Sequence, residues 1–226
     1  GGLSSPEIAQ PIRSILRDRK NVTVLMEEVE RIDPAARQVI LAGRTLDYDI
    51  LVIALGVKSG YFGHPEWEPH APGLKSLDDA LRIRAAALSC YERAESLANE
   101  SDRTGLLTSI VIGGGPTGVE MAGAVAELSR KVLSRDFRRI QPAEARVILI
   151  EAGPRLLPSF DESLSAYTLS RLQAMGVEVR LNTPVQHISA GHVTAGGSTL
   201  QAATIVWAAG VEAGPVGALP CTVNLK

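Results

Sequence analysis

Apolar and polar positions alternate along this chain in a few distinct rhythms. Residues 110–112, Ile-Val-Ile, form an unbroken β-branched run that stops at Gly113, Gly114 and Gly115. The run that follows, VEMAGAVAELSRKVL, returns apolar residues at helical spacing, with Val119, Ala122, Val125 and Ala126 near one face. A second short apolar run, RVILIEAG, ends in Glu151. The pattern predicts strand, tight turn, helix and strand in that order. Further helices are predicted over SLDDALRIRAAALSCYERAESLA, capped by Ser76 ahead of Asp78 and Asp79, and over DESLSAYTLSRLQAMG, capped by Asp161 and closed by Gly176.

Two stretches share one plan. An alternating strand (Val22, Val24, Met26) is followed by Val29 and Ile32, a polar turn, and TLDYDILVIALG. Later, another alternating strand (Val177, Val179, Leu181) is followed by Val185 and Ile188, a polar turn, and TLQAATIVWAAG. From Leu46 to Gly56 and from Leu200 to Gly210 the spacing is the same. A helix precedes each copy; in the first, Ser5 is the expected cap, Pro6 opens the helix, Ile8, Ile12, Ile15 and Leu16 share a face, and Pro11 introduces a kink. The second copy owns the glycine turn at Gly113. If the copies are equivalent, the first copy's own glycine turn lies upstream of Gly1, and the chain is expected to be an internal piece of a protein with two nucleotide-binding domains.

Gly113, Gly115 and Gly118 stand in G-x-G-x-x-G register between a predicted strand and helix, the arrangement that binds a dinucleotide diphosphate. Gly113 permits the sharp turn, Gly115 lets the backbone approach the phosphates, and Gly118 lets the helix lie close to the strand. Gly114, Pro116 and Thr117 complete the loop, and the helix dipole adds about 0.3 to 1 kcal/mol for an anion placed there. Glu151, at the end of the second strand, suits the hydroxyls of a ribose. It comes later than the usual interval of about 20 residues, and the segment Ser134 to Glu144 reads as an insertion that accounts for the delay. A carboxylate about 4 Å from a ribose 2′-phosphate costs on the order of 4 kcal/mol, so NADH is expected over NADPH, with Arg155 softening the preference.

Composition narrows the rest. At 226 residues and 45% hydrophobic the chain can bury a sizeable core. A net charge of -2 offers no attraction to nucleic acid, and Arg135, Arg138 and Arg139 are expected on a solvated face. No apolar run reaches the length of a membrane span, and no signal peptide is evident. Cys90 and Cys221 form no C-x-x-C pair, so neither a metal site nor a redox dithiol is expected. His64, His70, His187 and His192 share no ligand spacing. Trp67 reads as a loop anchor, Trp207 as core beside the Gly210 turn, and Met26, Met121 and Met175 as core packing.

Taken together, GLSSPEIAQPIRSILR (2–17), LDYDILVIALG (46–56), IVIGGGPTGVEMAGAVAEL (110–128), DFRRIQPAEARVILIEAGPRLLPSFDESLS (136–165) and TIVWAAGV (204–211) resemble the two-dinucleotide-binding-domain flavoproteins. Within these, they are most similar to the type II NADH dehydrogenases, single-subunit NADH:quinone oxidoreductases. The resemblance implies an α/β fold: a Rossmann-like domain with a parallel sheet and a β-meander, inserted in an incomplete FAD-binding domain. It divides the chain into 1–75, 76–203 and 204–226, the middle part holding NADH. It further implies an FAD that takes a hydride from NADH and passes electrons to a membrane quinone. NADH would meet Gly113 to Gly118, Glu151 and Ala152. Glu120 would reach toward the nicotinamide, with Ala208, Ala209 and Gly210 close by. Ala54, Leu55 and Gly56 would approach the FAD.

The same resemblance implies a cytoplasmic protein, peripheral on the inner face of the membrane at full length and soluble as this piece, and apolar surfaces left bare where missing FAD segments would pack are expected to favour a homodimer. The chain lacks the upstream glycine fingerprint for FAD and the later glycine-aspartate segment, so by itself it is expected to hold FAD weakly or not at all and to be inactive. Other readings stay open: a nucleotide-sensing or interaction module without turnover, or another pyridine-nucleotide flavoprotein such as a disulfide reductase, which would need a cysteine pair. Short-chain dehydrogenases and methyltransferases fit less well, the first for want of a Tyr-x-x-x-Lys pair and the second because they need no second copy.

Overall fold

The computed structural model describes residues 9–133 and 135–213, and these divide into two compact units: residues 59–211 and, within the described range, residues 9–58 with 212–213. Ser5, Pro6, Ile8, Ser134 and Cys221 lie outside the described residues.

The smaller unit begins with a short helix, α1 (Ile12–Leu16), and continues into β1 (Val29–Asp33), β2 (Gln38–Leu41) and β3 (Arg44–Asp47), an antiparallel meander. Pro11 sits at the N-cap of α1 and starts this helix, and residues 6–8 on the far side of the expected kink lie outside the described range. The strand expected at Val22–Met26 does not form among the described residues, residues 51–56 lie outside any strand, and Met26 is 92% exposed rather than packed in a core. A strand is defined by its ladder, and no described strand pairs with either run. Ile50 and Val52 are 86% and 82% exposed, whereas Leu51 and Ile53 between and beyond them are half-buried. The chain leaves this unit through β4 (Val57–Ser59).

The larger unit is built on a parallel sheet. It contains α2 (Leu77–Ser96), α3 (Glu100–Arg103), β5 (Thr108–Ile112), α4 (Pro116–Glu127), β6 (Arg146–Ile150), α5 (Glu162–Ala174), β7 (Val177–Arg180), the meander β8 (Val185–Ser189), β9 (His192–Ala195) and β10 (Ser198–Gln201), and β11 (Thr204–Trp207). Strand order is β11-β5-β6-β7, all parallel, with Ile110 opposite Ile148 and Val206 opposite Val111. β5 is buried along its whole length because both faces of the sheet are covered.

Period-two alternation sends Ile110, Ile112, Ile148 and Ile150 to one face, where they meet Ile188, Val193, Tyr61, Trp67 and Trp207. Val111, Val147 and Leu149 go to the other face, against Ala122, Val125 and Ala126 of α4 and Leu172 of α5. The α/β class, the parallel sheet and the meander expected from sequence are all present. Tyr61, Trp67 and Ala71 belong to this core and β11 is a strand of this sheet, so the compact unit extends on both sides of the span 76–203.

Both copies of the repeat contain the meander, and both break register at the same place. The ladder of β1 slips between Val29 and Arg31, and that of β8 slips between Val185 and His187. Ile32 and Ile188, three residues after the matching valines, are both buried. A bulge bends its strand and aims the next side chain inward, so the shared slip explains why the two sequence patterns match.

Ser76 and Asp79 form a reciprocal capping box at the start of α2, and Asp161 accepts the Ser163 N–H at the start of α5. Gly176, at φ +78, ends α5. α4 runs on into one π-helical turn, Leu128–Val132. In the inserted segment, the N–H groups of Arg138, Arg139 and Ile140 all donate to the Glu95 carboxylate, and the three arginines of that segment face solvent as expected.

Candidate nucleotide site at the C-terminal edge of the parallel sheet

The site starts where β5 ends. Gly113 has φ +112, and its N–H donates to Ile150 O at 2.8 Å. A Cβ there would stand 2.6 Å from Ala208 C and O and from Ala209 Cα, so only glycine lets the chain pass beneath the turn that follows β11. Gly118 faces the opposite constraint. Its Cβ would fall 1.8 Å from Gly113 O, so the helix can lie on the turn only without a side chain at this position. Gly115 differs from both: a Cβ there would meet nothing within 4 Å. Of the three motif glycines it alone borders open space, as close approach by a ligand requires.

α4 begins at Gly115 with Pro116 in its first turn. No side chain caps it, and no acidic residue lies in that turn. The N-terminal amides and the helix dipole are thus left to an external anion. Thr117 is half-buried beside them, and Glu120 is exposed on α4.

Glu151 ties the second strand to the glycine turn. Its Oε2 accepts the Gly114 N–H at 2.5 Å and its Oε1 accepts the Gly153 N–H at 2.6 Å. Gly114 in turn accepts the Leu157 N–H at 2.8 Å. A carboxylate offers about four acceptor positions, so two remain for a ligand's hydroxyls. Ala152 is exposed next to it. Arg155, expected to be available to a phosphate, is instead committed to its own loop, where its guanidinium donates to Phe160 O, Pro158 O and Ser165 Oγ at 2.7 to 2.8 Å.

The turn after β11 closes the site. Ala208 N donates to Ile112 O at 2.7 Å, and Gly60 N donates to Gly210 O at 3.1 Å. Trp207 is buried, stacks on Tyr61 at 5.1 Å and donates its Nε1 hydrogen to Gly60 O at 2.8 Å, which is the core role expected of it. Gly113 to Gly118, Glu151, Ala152, Ala208, Ala209 and Gly210 are therefore all at the same edge of the sheet. Ala54, Leu55 and Gly56 lie in the smaller unit, exposed and outside any strand.

Sequence reading missed one wall. A cleft of about 390 Å³ runs along this edge, bordered by Gly113, Glu151, Ala152, Val185 and Ala209 and also by Phe62, His64 and Trp67. Tyr61 to His64 make a tight turn closed by the His64 N–H to Tyr61 O at 3.0 Å, with Phe62 at φ +50 and Gly63 at φ +88. A left-handed aromatic residue costs on the order of 1 to 3 kcal/mol. Here that conformation leaves Phe62 72% exposed, with its ring edge-on to Trp207 at 5.9 Å. The available signal was the density of aromatics, with Tyr61, Phe62 and Trp67 close together in a chain only 4% aromatic.

Among the described residues no group of three or more His, Cys, Asp or Glu is placed to hold a metal, and no helix is long and apolar enough to cross a membrane. Cys90 is buried, and the Thr204 hydroxyl points at its sulfur at 3.9 Å.

This geometry has clear relatives. The chain is 42% identical over 226 residues to the type II NADH:quinone oxidoreductase Ndh of Mycobacterium tuberculosis, covering 96% of this chain and 49% of that protein. The type II NADH:quinone oxidoreductase NdhA of the same organism is 41% identical, over 96% of this chain and 48% of the relative. The external NADH-ubiquinone oxidoreductase 2 of Saccharomyces cerevisiae mitochondria is 33% identical, over 94% of this chain and 42% of its own length. The chain thus spans about half the length of the curated relatives it matches. Among solved structures, Plasmodium falciparum NDH2 in complex with NADH superimposes with a TM-score of 0.75 at 25% identity, over 83% of this chain and 40% of that one. The profile of the pyridine nucleotide-disulphide oxidoreductases matches residues 2–225, and the chain belongs to that family.

Proposed function

We propose that this chain binds NADH along the C-terminal edge of the β11-β5-β6-β7 sheet, as the donor-nucleotide part of an NADH:quinone oxidoreductase. The observation that carries the proposal is the Glu151 carboxylate at the end of β6, held against the glycine turn by the Gly114 and Gly153 amides. In that position it can accept the hydroxyls of the adenosine ribose while the start of α4 takes the diphosphate.

The residues fit a dinucleotide. Gly115 leaves room for phosphate oxygens, and the uncapped helix start supplies donors and a positive potential. Ala208 and Ala209 pass directly over Gly113 and Gly210 follows them, which suits this turn to bordering the nicotinamide half. Glu120, exposed on α4, is the proposed side-chain contact at that end. NADH supplies the hydride, and the protein's part is to hold and orient it.

FAD as the hydride acceptor, and a membrane quinone as the final acceptor, enter this proposal from the relatives. Among the described residues there is one strand, glycine turn and helix of this kind, at Gly113, and Ala54, Leu55 and Gly56 offer no charged or hydrogen-bonding side chain. The structure supports nucleotide binding at the larger unit. Isothermal calorimetry of the chain with NADH tests the proposal: saturable one-to-one binding that a Gly115→Asp substitution abolishes supports it, and the absence of binding refutes it.

A further inference from the structure

His64 stacks on Trp67 with ring centroids 4.1 Å apart and planes 6° from parallel. Trp67 is buried and packs against Trp207 at 5.7 Å, so it is a fixed base. His64 Nδ1 lies 2.9 Å from Glu66 Oε1, which sets the orientation of the imidazole in its own plane. One face of the imidazole is therefore occupied, while its side chain remains 49% exposed where it borders the cleft that also contains Glu151. A second observation points to a ligand on the same wall: Phe62, held in the left-handed region, is 72% exposed beside this cleft.

We infer that His64, backed by Trp67, is the platform on which the adenine ring of NADH stacks. The inference rests on the proposed NADH site and specifies which half of the nucleotide this wall receives. Glu151 fixes the adenosine ribose on one side of the cleft, and the base attached to that ribose has a flat ring within reach on the other. Ring stacking explains why a turn with two left-handed residues is maintained between Tyr61 and His64. It also explains why the imidazole is held in plane by Glu66 rather than turned to point a nitrogen at the ligand.

The test compares NADH with ADP-ribose, which keeps the adenosine and diphosphate but lacks nicotinamide. Binding to the wild-type chain and to His64→Ala and His64→Phe is measured by calorimetry, with circular dichroism and thermal melting to confirm folding. The platform predicts that His64→Ala weakens NADH and ADP-ribose by the same factor, about tenfold as expected for one base–aromatic stack, and that His64→Phe restores both. Unchanged ADP-ribose binding in His64→Ala overturns it. Loss of NADH affinity with ADP-ribose unaffected also overturns it, and moves the wall to the nicotinamide. Failure of the wild-type chain to bind either ligand is a different result, because it refutes the NADH site itself and the platform with it.

Discussion

The Glu151 carboxylate accepts the Gly114 backbone N–H at 2.5 Å, joining the end of one strand to the glycine turn that ends its neighbour. The bond aims the carboxylate along the sheet edge and stiffens the loop that receives phosphate. Selectivity for the nucleotide follows from it. Glu151→Gln should weaken NADH binding by about tenfold, in line with the roughly 1.5 to 3 kcal/mol of a charged hydrogen bond. Because Arg155 is tied to Phe160, Pro158 and Ser165, the unmodified chain should prefer NADH over NADPH strongly, and Glu151→Gln should narrow the gap. Parallel titrations with both nucleotides check this, and equal affinities in the unmodified chain would contradict it.

Gly115 and Gly118 should respond in opposite ways to a single methyl group. Gly118→Ala places a carbon against Gly113 O and should destabilise the fold by about 1 to 3 kcal/mol as the helix is forced away. Gly115→Ala meets open space and should leave the melting temperature unchanged while reducing nucleotide affinity. Melting curves and titrations of the two variants separate these effects. Equal loss of stability in both would show that the open space at Gly115 is not there.

Asp79 links stability to pH. Burial opposes its ionisation, but hydrogen bonds from Ser76 and from the Lys75 N–H, together with Arg82, outweigh burial and hold the carboxyl at about 2, below its ordinary 3.8. A lowered value in the folded state stabilises above the unfolded value and fades as pH falls through the folded one. The contribution should be complete above pH 4 and disappear toward pH 2. Asp79→Ala should cost on the order of 1 kcal/mol at neutral pH and little at pH 2, measured by urea unfolding at both. A cost that does not depend on pH would contradict the ionised capping box.

Glu95 holds the inserted segment by three successive backbone amides, so Glu95→Ala should expose residues 135–140. Limited trypsin digestion followed by mass spectrometry should show faster cleavage after Arg138 and Arg139. An unchanged cleavage pattern would show that the segment is held some other way.

The parallel sheet and the glycine turn were legible in sequence because their signals are local. A buried strand must be apolar on both faces, and Gly113 and Gly118 are demanded by clashes a few residues away. The place of Glu151 at the end of β6 was legible despite the long interval because the strand before it is of that kind. Val22–Met26 misled because apolar alternation shows fitness for a sheet without showing that a neighbouring strand is there to pair with it. Met26 shares that origin. Arg155 was misjudged because sequence proximity to Glu151 does not reveal that loop carbonyls take up its guanidinium. The wall of Phe62, His64 and Trp67 was hard to place because GYFGHPEW carries no periodicity beyond its cluster of aromatics, and only the fold brings it beside Gly113, Glu151 and Ala209 far along the chain.

The most direct test of the central claim, that the edge of this sheet is an NADH site, is a calorimetric titration of the 226-residue chain with NADH and then with NADPH. The expected result is one NADH per chain with markedly weaker NADPH binding. No heat of binding, or NADH and NADPH binding equally well, would contradict the claim.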